Sequence, residues 1–207
     1  MFTMYKGEKI NSISHLVGAS LALGGWVVLI VFASLTGDAY KILSATIYGL
    51  CLFLMFLFST LYHSFRGGPK KVFQIFDHVA IFLLIAGTYT PYCLVTLRET
   101  SGWLIFGLVW GLAAMGITFK SVFGDRWNLV STLFYLVCGW TIAVDFSGIH
   151  AALEPAGFAW LVAGGLVYSG GAFFFLYDRI PRNHEIWHFF IMAAATCHYI
   201  SIFFYVI

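Results

Sequence analysis

Residues 42–65 read ILSATIYGLCLFLMFLFSTLYHSF. The 24 residues contain no Lys, Arg, Asp or Glu, and Lys41 and Arg66 bracket them. A helix crossing the hydrocarbon core of a bilayer needs about 20 predominantly apolar residues, so this stretch is long enough to span. The same ruler finds six more uncharged runs of 18 or more residues, at 10–37, 78–97, 100–119, 127–144, 155–177 and 186–207. Together the seven runs take 155 of the 207 residues, which leaves no room for a soluble domain. The chain therefore reads as an all-α membrane protein, one domain over residues 1–207, built from seven transmembrane helices. The first run is long and has no A-x-A-like end, so it reads as a permanent span and not a signal peptide.

Composition points the same way. Hydrophobic residues make up 61% of the chain and charged ones only 10%, whereas soluble domains are about a quarter charged. With 11 Lys and Arg against 9 Asp and Glu, there is no basic surface for nucleic acid. The expected partners are membrane lipids, including a lipid substrate or fatty acid.

The positive charges orient the bundle. Lys6, Lys9, Arg66, Lys70, Lys71, Lys120, Arg126, Arg179 and Arg182 fall on one side of seven alternating spans, and only Lys41 and Arg98 on the other. Positive loops stay cytoplasmic, so the N-terminus is expected inside and the C-terminus outside. This is opposite to G-protein-coupled receptors. No Lys lies well inside a run, which excludes a retinal Schiff base.

Bland features have bland readings. Cys51, Cys93, Cys138 and Cys197 form no CxxC pair and read as small packing residues. Gly164, Gly165, Gly170 and Gly171 permit close helix packing, with a widened lipid cavity beside them as the alternative. Pro91 is expected to kink its span, Trp103, Trp127 and Trp187 to sit in aromatic belts, and Asp145 to snorkel from the outer end of span 5.

Ionisable residues inside hydrocarbon are costly and mark function. With the topology above, His15, His63, Asp77, His184 and His188 fall in one layer near the cytoplasmic face. His184 and His188 are i,i+4, so both rings share a helix face. Ser59 and His63 are also i,i+4, with the hydroxyl one turn deeper. His63, His184 and His188 would make a three-imidazole site, and three protein ligands plus an open position is the catalytic zinc pattern. Asp77 could then hold or deprotonate a bound water. The alternative is that these histidines bond one another and backbone carbonyls. The string His184-Glu185-Ile186-Trp187-His188 matches H-E-x-x-H, yet nothing else of a peptidase follows, and Glu185 suits a helix start. His198 lies roughly 21 Å along the axis from His184, too deep to join the metal, and reads as an internal hydrogen-bonding residue.

Glu8-x-x-Asn11-x-x-x-His15, Ser59-x-x-x-His63, Asp77 and His184-x-x-x-His188 occur in that order. In this pattern the chain resembles the progestin and adipoQ receptor superfamily, adiponectin receptors included. Its short N-terminus, minimal loops and Ser59-Thr-Leu-Tyr-His63-Ser string resemble the bacterial hemolysin III branch over nearly the whole chain. The resemblance implies a bacterial inner-membrane protein with seven helices. It also implies Zn2+ held by His63, His184 and His188, with Asp77 binding through water and Ser59 in the surrounding pattern. Asp77 and Ser59 stand as the catalytic candidates. Similarity of these receptors to ceramidases implies hydrolysis of a lipid amide.

Three functions follow from these readings. The first is a zinc-dependent hydrolase of a membrane lipid amide or ester. The second is a non-enzymatic regulator of membrane state with a structural zinc joining spans 2 and 7. The third is a cytolysin, for which a polar-lined amphipathic span should exist and none is obvious.

Overall fold

The computed structural model describes residues 7–177 and 179–207, the side chain of Asp125 excepted. Lys6, part of the charge count, lies outside the described residues. Among the described residues eight α-helices follow in order: α1 (Lys9–Thr36), α2 (Ala39–Ser64), α3 (Gly67–Pro91), α4 (Gly102–Phe123), α5 (Asn128–Gly139), α6 (Phe146–Ala152), α7 (Pro155–Leu176) and α8 (Asn183–Tyr205). A 3-10 turn over Thr141–Asp145 joins α5 and α6 into one span, Asn128–Ala152, so seven helical segments are long and apolar enough to cross a membrane. No strand occurs among the described residues.

Short connections make sequential helices antiparallel neighbours. Between α1 and α2, Gly37 takes the left-handed conformation (φ 69°), which costs glycine little. Asp38 then caps α2, its carboxylate accepting from the Tyr40 and Lys41 amides at 2.8 and 3.4 Å. The heaviest packing is α1 on α2, α2 on α3, and α7 on α8, and α1 meets α8 to close the bundle. At the end opposite α1's start, Lys41 Nζ donates to the Ile207 carbonyl at 2.8 Å, and Arg98 lies over the Tyr40 ring. The two charges assigned to the sparse side thus meet at one end.

The glycines of α7 divide. A Cβ on Gly164 would lie 2.2 Å from the His198 ring, and one on Gly171 2.8 Å from Phe190 Cβ, so these two bring α7 against α8. Gly165 has Trp140 no nearer than 3.6 Å and lines an internal cavity. Asp145, Trp187 and Pro91 are placed as follows. Asp145 caps α6 through the Gly148 amide and accepts from Ser101, so the uncharged run stops at a helix cap inside the longer apolar segment Asn128–Ala152. Trp187 packs inward on Phe175 (5.3 Å) and lines the cavity, because its face of α8 meets α7. Pro91 ends α3 in a π-helical turn over Tyr92–Thr96, where the Leu97 amide bonds the Tyr92 carbonyl at 2.8 Å. The four cysteines are free; Cys51, Cys93 and Cys138 are packed inside and Cys197 is half-buried.

Candidate metal centre

His63 sits on the last turn of α2, and His184 and His188 on the first turns of α8. Their Nε2 atoms converge. His184 Nε2 lies 3.3 Å from His63 Nε2 and 3.2 Å from His188 Nε2, and the ligand atoms of all three fall within 4.8 Å of one another. Tetrahedral coordination with bonds of 2.0–2.1 Å has an edge of about 3.3 Å. The two measured separations have that length. His63 and His188 are each 2% exposed, so water does not compete for their nitrogens.

Protons alone do not account for this geometry. His63 Nδ1 pairs with the Glu8 carboxylate. A carboxylate accepts, so the proton belongs on Nδ1 and the lone pair on Nε2 points into the cluster. His184 Nε2 has two nitrogen neighbours and at most one proton to share. A cation at the centre satisfies all three lone pairs, and imidazole nitrogen suits zinc and other divalent transition metals. The donor set therefore fits a metal.

The first helix builds the support. Glu8, Asn11 and His15 are spaced i, i+3, i+7 and share one face at the start of α1. Glu8 bonds His63 and accepts from Lys70 Nζ at 2.8 Å. The hydrogen bond from His63 chiefly, and Lys70 beside it, hold the Glu8 carboxyl down at about 2 against the opposing effect of burial. The Asn11 backbone approaches His188, whose Nδ1 has no aligned partner. The His15 ring stacks on His188 at 3.8 Å. Ser12 and Ser64 hydroxyls, 2.7 Å apart, tie α1 to the end of α2. In the sequence His15 stood out by its depth in the polar layer, whereas Glu8 and Asn11 entered only through the resemblance. Their helical spacing was the signal that they act together on one face.

The other candidates are placed as follows. Ser59 is buried on α2, one turn below His63. Asp77 is half-buried and lies ten residues into α3, which begins earlier than its uncharged run because Gly67 starts the helix. Tyr62 and His78, the neighbours of His63 and Asp77, face each other with ring centroids 6.4 Å apart. Asp77 lies outside the three-His group itself. Glu185 sits in the first turn of α8, 3.8 Å from Arg182 Nε. His198 bonds the Leu161 carbonyl through Nε2 at 3.1 Å, apart from the cluster.

Beneath the imidazoles lies an apolar cavity of about 90 Å³. Phe175 and Trp187 bound it near the site, Phe175 being 6.4 Å from the His184 ring, and Tyr168 and His198 bound it deeper in. A second cavity of about 40 Å³ continues past His198.

Seven apolar spans with three imidazoles gathered at one end define a multi-pass membrane protein with a potential metal site. Comparison with known proteins narrows that class. The family model for haemolysin-III related proteins matches residues 3–199. Hemolysin-3 of Bacillus cereus is 44% identical over 209 residues, covering 100% of this chain and 95% of that protein. The Hemolysin-3 homolog of Bacillus subtilis (strain 168) is 42% identical, covering 99% and 96%. The human monocyte to macrophage differentiation factor is 31% identical over 81% of this chain and 72% of its own length. The chain belongs to the haemolysin-III family.

Proposed function

We propose that the chain is a zinc-dependent hydrolase of a membrane lipid amide or ester. The observation that supports this most is the convergence of three Nε2 atoms beside an apolar cavity. Three protein ligands leave a fourth position, as in catalytic zinc sites, whereas structural sites close with a fourth side chain. Bound to His63, His184 and His188, zinc would polarise the scissile carbonyl and lower the pKa of a water to about 7. The chain's own residues do the rest. Glu8 fixes the ring of His63 with Nε2 facing inward. Asp77 accepts a proton from the attacking water and returns it to the leaving amine or alcohol. Ser59, on the His63 face of α2, holds the carbonyl end of the substrate. Phe175 and Trp187 screen the centre, and the acyl chain lies in the cavity beyond them.

The site faces the cytoplasm in this reading. Among the described residues, Lys9, Arg66, Lys70, Lys71, Lys120, Arg126, Arg179 and Arg182 lie at its end of the spans, against Lys41 and Arg98 at the other. The N-terminus is then inside, the C-terminus outside, and the protein resides in the bacterial inner membrane. One observation favours a second reading, a non-enzymatic regulator of membrane state. Glu8 bridges His63 and Lys70, so the centre ties α1, α2, α3 and α8 together and a metal there would staple the bundle.

The test is metal analysis of the purified protein in nanodiscs, followed by hydrolysis assays on fluorescent lipid amides and esters. One zinc per chain with turnover supports the hydrolase. One zinc without turnover on any substrate moves the assignment to the regulator, and no bound metal overturns both.

A further inference from the structure

We infer that the cavity holds a second recognition point, a hydroxyl-binding station at Tyr168 and His198, and that the preferred ligand is a long-chain lipid hydroxylated near the middle of its chain. The inference rests on the acyl-chain reading of the cavity given above.

Three polar residues line the two cavities: Tyr168 the first, Tyr92 the second, and His198 both. The Tyr168 hydroxyl and His198 Nδ1 are buried with no hydrogen-bond partner, and the Tyr92 hydroxyl approaches Ser201 without an aligned bond. Ser201 itself is committed to the Gly157 carbonyl at 2.8 Å. A buried polar group in hydrocarbon normally finds a partner, because leaving it unpaired is costly. Two such groups on the wall of one cavity, Tyr168 and His198, point to a polar atom arriving from elsewhere.

The tautomer of His198 selects its chemistry. Nε2 faces the Leu161 carbonyl at 3.1 Å, so the proton sits there. The same edge is pressed against α7 where Gly164 leaves room. Nδ1, on the other side of the ring, is therefore an acceptor. Tyr168, whose ring centroid is 5.5 Å from that of His198, supplies a hydroxyl that can donate. A ligand hydroxyl can donate to His198 Nδ1 and accept from Tyr168. A ketone cannot donate, and an unsubstituted chain does neither.

The distance sets the position on the chain. His188 and His198 are ten residues apart on α8, about 15 Å along the axis, or on the order of a dozen carbons of an extended chain. At about 10–15 Å³ for each water-sized group, the first cavity of about 90 Å³ takes roughly six to nine methylenes. The remaining few carbons cover the step from the imidazoles past Phe175 and Trp187.

The experiment uses zinc-loaded full-length protein in nanodiscs and competition against a fluorescent fatty acid, with stearate, 12-hydroxystearate and 12-ketostearate as probes. The hydroxy acid should bind about tenfold tighter than stearate, and the keto acid no better than stearate. Tyr168→Phe should erase the preference, so that the hydroxy acid binds that variant no tighter than stearate binds the same variant. Equal affinity of all three probes for the wild-type protein overturns the station and leaves the acyl-chain reading standing. So does a preference that survives Tyr168→Phe, or one shared by the ketone. Binding of none of the three overturns the acyl-chain reading together with the station. If Tyr168→Phe fails to fold, the hydroxyl and ketone comparison on the wild-type protein remains decisive.

Discussion

His188 and His198 stand on the same helix, both buried, and they face different partners. His188 Nε2 looks at another imidazole 3.2 Å away; His198 Nε2 looks at the Leu161 carbonyl at 3.1 Å. A carbonyl holds a proton on the nitrogen opposite and removes its lone pair from metal chemistry. Two neighbouring imidazoles cannot both be satisfied by one proton and leave a lone pair looking for a cation. Burial and residue type are alike at the two places. The atom across from Nε2 decides which histidine can ligate.

The contrast is broken most forcefully at the cluster. The His184→Ala/His188→Ala double variant should fall from about one equivalent of metal per chain to near zero, measured by mass-spectrometric metal analysis. His198→Ala, in the same assay, should retain its metal, and loss of metal there would erase the distinction. Next in size, Asp77→Asn should keep metal and melting temperature yet lower lipid hydrolysis on the order of 10²–10⁴-fold. A cellular phenotype that survives that change with metal intact speaks for the regulator.

Glu8→Gln sharpens the comparison, since it loosens the group that fixes the tautomer of His63. Metal affinity should weaken about 10–100-fold, read by competition with a chelating dye. The Glu8 carboxyl is held at about 2 instead of the ordinary 4.5. A depressed carboxylate gives its full contribution above the ordinary value and loses it only as pH falls towards 2. Metal lost between about pH 7 and 5 therefore does not report the titration of Glu8. The smallest effect lies at the other histidine. Gly164→Ala places a methyl 2.2 Å from the His198 ring and should cost about 1–3 kcal/mol of stability by overpacking, seen as a lower melting temperature with unchanged metal content.

The spans were legible because charges are scarce enough to mark their ends. Span 5 was the exception. Asp145 reads as a boundary, and its actual work is to cap α6, a role visible only once Ser101 and Gly148 are seen beside it. The three imidazoles were legible from i,i+4 spacing and depth. Glu8 was harder, since it precedes the first run, and nothing local says that a residue before α1 meets the end of α2. The cavity was beyond reach of the sequence, because its walls come from α2, α3, α5, α7 and α8 together. Gly165 carried a trace of it, in a helix where Gly164 and Gly171 carry contact instead.

Span 5 changes from α5 to the 3-10 turn at Gly139 and Thr141, and one phenol oxygen bridges the change. Tyr89 donates to the Gly139 carbonyl at 2.6 Å and accepts from the Ile142 amide at 2.9 Å. The span is thus two rods on a swivel, with a latch supplied by a neighbouring helix. Pulling that oxygen away strands a carbonyl and an amide in hydrocarbon at once, a penalty of several kcal/mol. Gly139 and Trp140 form part of the wall of both cavities. That wall should open as a rare, all-or-none event on a slow timescale, in place of continuous soft breathing, and the Ile142 amide should be slow to exchange with deuterium.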